Sequence, residues 1–96
     1  MGYERINDVL EAWAGRHALH LFKRYKGSEV RSVEIVSIAG ERYQIWIDKP
    51  DMNGLIGIHI WDFKRRGRRA DFLVSIVDLN EYLENARDIA MAWSVA

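Results

Sequence analysis

Between Val30 and Ile76 the chain repeatedly alternates apolar and polar residues, and this period of two constrains the fold more than any other feature. It is clearest in Tyr43-Gln44-Ile45-Trp46-Ile47-Asp48 and in Ile56-Gly57-Ile58-His59-Ile60-Trp61-Asp62. Alternation of this kind places one residue set on each face of a strand. Four strands are expected here: Val30–Ile38, Glu41–Asp48, a third ending near Phe63 and a fourth running through Phe72. Short connections join them: a two-residue turn at Ala39-Gly40, a loop at residues 49–54 ending in Asn53-Gly54, and a basic tip at Arg65-Arg66-Gly67-Arg68. Connections this short make neighbouring strands antiparallel in a meander.

Helical spacing brackets the sheet. Ile6, Val9, Leu10 and Trp13 share one side of a helix expected over Tyr3–Ala14. Gly15 either ends this helix or is carried inside a longer one reaching Tyr25. The segment after it, Ala18–Lys23, reads better as a first strand, because Lys26-Gly27-Ser28-Glu29 makes a natural turn into the next. At the other end Leu79, Tyr82, Leu83, Ala86, Ile89, Ala90 and Trp93 form one stripe, with Asp78 and Glu81 spaced as a capping box. The expected fold is a single α+β domain over residues 1–96. It has two layers: a meander of four to five antiparallel strands, and an N-terminal and a C-terminal helix packed on one sheet face.

Composition narrows function chiefly by exclusion. Fourteen basic and fourteen acidic residues cancel, so no global field steers the chain toward nucleic acid or an anionic membrane. The cancellation hides an acidic C-terminal helix attached to a mildly basic body. With no cysteine there are no disulfides, thiolate metal sites or cysteine nucleophiles, which fits a cytoplasmic protein. No apolar run at the N-terminus is long enough for a signal peptide or a membrane span. His17, His20 and His59 lie in no metal-ligand motif, none of the serines sits in a Gly-x-Ser-x-Gly elbow, and Gly54-Leu55-Ile56-Gly57 lacks the lysine of a phosphate loop. No catalytic residue, metal or cofactor is assigned.

Alternation places Val33, Ile35, Ile45, Ile47, Ile56, Ile58 and Ile60 on the core face. The opposite face then carries Glu34, Val36, Gln44, Trp46, Asp48, His59, Trp61 and Phe63, with His20 and Phe22 from the first strand. Large aromatics on a mixed polar face mark an interaction surface, unless helix 1 or a loop covers them. The binding residues expected are Trp46, His59, Trp61 and Phe63 for contact area, and Arg65, Arg66, Arg68 and Arg69 for orientation. The function expected is a small non-catalytic, adaptor-like protein-interaction module whose partner is another protein or a second copy in a homodimer. The first alternative is single-stranded nucleic acid, stacked on Trp46, Trp61 and Phe63 and contacted by the run Lys64–Arg69. A second is a small enzyme with its active site at a dimer interface, pairing groups such as Glu34, Asp48, His20 and His59 as acid and base.

Overall fold

The computed structural model describes residues 2–64 and 68–95. A helix α1 (Asn7–Arg16) leads into five strands, β1 (Phe22–Tyr25), β2 (Ser28–Val36), β3 (Arg42–Ile47), β4 (Leu55–Asp62) and β5 (Arg69–Ser75), and a helix α2 (Leu79–Ser94) closes the chain. The strands form one sheet in the order β1-β2-β3-β4-β5, antiparallel at every step. Both helices pack on one sheet face, in the α+β arrangement that the periodicities imply. All seven core-face residues expected from alternation are buried. Leu10 and Trp13 of α1 and Leu79, Leu83, Ala86 and Ala90 of α2 complete the same core. The two alanines leave room for α2 to lie close to the isoleucines beneath it. No helix among the described residues is long and apolar enough to cross a membrane.

The helix ends differ from expectation. Helix α1 starts at Asn7 rather than Tyr3, because Tyr3 is drawn into the core and its hydroxyl donates to the Ile47 carbonyl (2.9 Å). Gly15 neither ends the helix nor carries it on to Tyr25. The helix stops at Arg16, and Ala18 takes the left-handed position with φ at 54°. The Leu19 amide bonds to the Ala14 carbonyl (2.8 Å) and the Ala18 amide to that of Gly15 (3.2 Å), the pairing of a Schellman ending. Asp78 makes no side-chain cap at the start of α2. Its Oδ2 instead accepts a bond from the Ser75 hydroxyl (3.3 Å), so the capping box does not form.

Turn chemistry sets the strand ends. Lys26 and Gly27, with φ at 51° and 83°, form a two-residue turn between Tyr25 and Ser28, and the first strand is present, but over Phe22–Tyr25 rather than Ala18–Lys23, so His20 lies outside it. The twist of the turn matches that of the strands it joins. The β2–β3 connection is wider than the two residues expected. Ser37 and Glu41 still share a backbone bond (2.9 Å), and Gly40 at φ 86° closes a three-residue loop. The β3–β4 loop ends in the same way, with Gly54 at φ 76° while Asp51 Oδ1 accepts from the amides of Asn53 (2.8 Å) and Leu55 (2.9 Å).

Because Ala18 holds a conformation that disfavours any Cβ, Ala18→Gly is expected to stabilise the protein by about 1 kcal/mol. Urea denaturation measures this, and an unchanged or lowered midpoint would show that the left-handed turn carries no strain.

Candidate functional site on the outer sheet face

Strand register arranges the outer face in cross-strand rows. One row runs Phe22–Ser32–Trp46–His59–Asp71 across all five strands, and the next runs Glu34–Gln44–Trp61–Arg69. On one side of this pair Gly57 is paired with Leu73, and on the other Val36 with Arg42. Alternation thus places Trp46, His59, Trp61 and Phe63 on the face turned away from both helices. Trp61 is 36% exposed and Phe63 also reaches solvent, so neither α1 nor a loop covers them. The tryptophan rings lie 5.8 Å apart, and Tyr25 meets Trp46 edge-on at 5.7 Å. A ladder of three aromatic rings therefore crosses the face from β1 to β4. Its orientation is held by polar neighbours: Trp46 Nε1 donates to Gln44 Oε1 (2.6 Å), and Gln44 Nε2 donates to Glu34 Oε2 (3.2 Å).

Beside the ladder stands a charged cluster centred on His59. Its Nδ1 lies 2.6 Å from Asp71 Oδ1 and its Nε2 lies 2.8 Å from Asp48 Oδ2. With a carboxylate on each nitrogen, the ring donates twice and is an imidazolium. Partial burial opposes this charge, but the hydrogen bonds and charges of Asp48 and Asp71 outweigh it and raise His59 above its ordinary value. Arg69 adds a two-pronged contact to Asp71, with Nε to Oδ2 at 3.0 Å and Nη2 to Oδ1 at 2.8 Å. Arg69 first, and His59 second, hold the Asp71 carboxyl down at about 2. The same guanidinium lies 5.9 Å from the Trp61 ring centroid, so the cluster and the ladder share one residue.

Gly57 makes the cluster sterically feasible. Asp48 reaches His59 across the Gly57 backbone, and a Cβ there would collide with Asp48 Oδ2 and sit 3.0 Å from His59 Nε2. The two carboxylates lie off opposite nitrogens of the ring and do not converge on one point, so the cluster is an ion-pair array rather than a metal cage.

The expected cations separate. Arg69 belongs to the outer face. Arg68 turns to the helix side, where Nε donates to Asp62 Oδ2 (3.0 Å), Nη2 donates to the Trp93 carbonyl (3.2 Å), and the guanidinium lies 5.0 Å from the Trp93 ring centroid. Asp62 is only 4% exposed, so Arg68 neutralises a buried carboxylate at the end of α2. Arg65 and Arg66 lie outside the described residues. On the acidic helix α2, Glu84 accepts from Arg16 Nη2 of α1 (2.9 Å) and lies 2.7 Å from His17 Nε2. Sequence reasoning missed Asp71, Gly57 and Tyr25. Asp71 had a signal, since it shares strand parity with Arg69. Gly57 and Tyr25 had none, because their roles come from neighbouring strands.

Two measurements check these assignments. Arg68→Ala is expected to lower stability by about 2–3 kcal/mol by removing the guanidinium that donates to the buried Asp62 carboxylate, whereas Arg69→Ala, on an exposed pair, should barely move the urea midpoint. Equal effects would contradict this division of labour. A raised His59 contributes stability that is complete below its unfolded value of 6.5 and is lost as pH climbs through the higher folded value. The depressed Asp71 contributes above its unfolded 3.8 and loses that contribution as pH falls through about 2. The cluster is therefore at full strength between about pH 4 and 6.5. The deficit of His59→Gln, followed by urea denaturation, should be largest in that window and shrink toward about pH 9; a deficit independent of pH would mean that the ring acts only by packing.

Comparison of the chain with protein-family models, with curated proteins and with solved structures finds no match.

Proposed function

We propose that this chain is a non-catalytic interaction module that associates with a second copy of itself through the outer sheet face, centred on Trp61. The observation that carries this reading is the aromatic ladder Tyr25–Trp46–Trp61, flanked by exposed Phe63 and Leu73 on the side away from both helices. Exposed apolar side chains clustered on one face favour association, and tryptophan removes a large area from water at low entropic cost. The charges around it suit a self-complementary contact. Arg24, Arg42 and Arg69 stand among Glu34, Asp48 and Asp71, and the chain as a whole is neutral, which weakens repulsion between copies.

Other readings of the face draw less support. An enzyme using His59 as base would need a free ring nitrogen, and both nitrogens face carboxylates. For single-stranded nucleic acid the paired tryptophans between Arg42 and Arg69 are favourable. Three carboxylates on the same face repel phosphates, however, and Arg69 is already engaged by Asp71.

Sedimentation equilibrium tests the proposal. The wild-type chain is expected to populate a dimer, and Trp61→Ala to weaken it about thirtyfold or more while the circular dichroism spectrum is kept. Leu73→Ser gives a second probe, since that side chain is 63% exposed and its loss leaves the core intact. A wild-type chain that remains a monomer at every concentration overturns self-association. Oligonucleotide binding that fades steeply with salt and maps to Trp46 and Trp61 would replace it with the nucleic-acid reading.

A further inference from the structure

At the β1 end of the outer face the aromatic side chains enclose a cup. Ser32 lies between Phe22 on β1 and Trp46 on β3 in the same cross-strand row. Strands flanking a middle strand are about 10 Å apart, so a small residue between two large ones leaves a gap with ring walls. Tyr25 adds a third wall. The register slips between Phe22 and Arg24, and beyond the slip Tyr25 joins Phe22 and Trp46 along the same groove. His20 props the outer wall, packing edge-on to Phe22 at 4.5 Å. The groove has a volume of about 160 Å³, and Glu34, Gln44 and Arg24 complete its lining.

The polar groups in the cup point to the charge of an occupant. Glu34 is held through Oε2 by Gln44 and has no cation paired with it among the described residues. The Trp46 N–H donates to Gln44 Oε1 and is not free for an occupant. Ser32 is nearly buried, and its hydroxyl has no protein partner among the described residues. Ring faces carry negative quadrupole potential and attract cations, and a carboxylate reinforces that attraction. A primary ammonium brings three N–H donors, and of the polar groups lining the groove only Glu34 and the Ser32 hydroxyl are left to accept them, since Gln44 Oε1 is taken by the Trp46 N–H and Arg24 has only donors. A methylated ammonium carries its charge without that requirement.

We infer that the cup formed by Phe22, Tyr25, Trp46 and Ser32, with Glu34 at its side, is a binding site for a methylated ammonium group, carried either by a small quaternary ammonium ion or by a trimethylated lysine side chain. The cup shares Tyr25 and Trp46, but not Trp61, with the aromatic ladder of the proposed association face, and the inference itself does not rest on self-association. Among the described residues Arg24 is the one cation lining the cup, and it tempers the affinity.

Amide and indole NMR of the labelled protein, titrated with tetramethylammonium chloride against sodium chloride at equal ionic strength, tests the inference. Saturable shifts are expected at Ser32 and at the Trp46 indole with the first salt and not with the second. Trp46→Ala should weaken binding about tenfold. Tyr25→Ala removes a wall from an exposed edge strand and gives the same reading if Trp46→Ala disturbs the sheet. Glu34→Gln should weaken binding about two- to fivefold and Arg24→Gln should tighten it by a similar factor, opposite signs that a packing effect would not produce. A short peptide bearing trimethyllysine distinguishes the source. Binding at least tenfold tighter than tetramethylammonium identifies a modified protein tail, and equal affinity identifies a small ion. Identical responses to the two salts, or an unmethylated lysine peptide that binds as tightly as the trimethylated one, would overturn the assignment. Titrating below and above any association midpoint keeps this result independent of the dimer.

Discussion

Two amphipathic helices competing for one side of a five-stranded sheet is the constraint on which the rest of the structure depends. Their apolar stripes need the isoleucine face, and once α1 and α2 are both seated on it no further helix remains among the described residues to cover the other face. Each fully buried isoleucine removes enough surface from water to contribute about 1.5–3 kcal/mol. Ile45, Ile47, Ile56, Ile58 and Ile60 make that face decisively the inner one. The tryptophans are left outside because strand parity ties them to the opposite side from the isoleucines. Moving Trp46 or Trp61 inward would require a one-residue slip that expels a whole set of isoleucines.

An outer face left open must be kept ordered without burial, and here polar chemistry does so. The imidazolium of His59 links Asp48 next to β3 with Asp71 on β5, and Arg69 links Asp71 to Trp61. The array thus straps three adjacent strands across their exposed side. Arg68, one residue from Arg69, faces the other way and neutralises Asp62 beneath α2. Adjacent arginines therefore serve opposite layers, an instance of the two-residue period acting on charge as it does on apolar side chains.

The same geometry sets two adjoining regions on one face, with Trp46 between them. Near β4 and β5 the exposed apolar side chains stand among paired charges, which suits a flat contact with another folded surface. Near β1 a small serine between large rings opens a cup, where Glu34, in no ion pair among the described residues, favours a cation and Arg24 tempers it. Neither region is built from a contiguous motif. Each combines residues from three strands or more, and that is how small sheet domains assemble sites without long loops.

Most of the fold was legible in the chain before any coordinates. Period-two alternation separated core isoleucines from outer aromatics, glycine-containing turns implied antiparallel neighbours, and helical spacing supplied a second layer. These signals are local, and local geometry fixes them. Where they failed, one tertiary contact and two local ones outweighed them: Tyr3 left α1 for Ile47, whereas Asp78 bonded to nearby Ser75 instead of capping α2 and Ala18 rather than Gly15 took the left-handed turn. Of the candidate site, the chain by itself determined which aromatic residues share a face. Only the tertiary structure decided that Asp71 and Asp48 meet on His59 across Gly57, that Arg68 and Arg69 part, and that Tyr25 joins Phe22 and Trp46 around Ser32. Those contacts depend on the register and slip between neighbouring strands, and neither is encoded within any one segment.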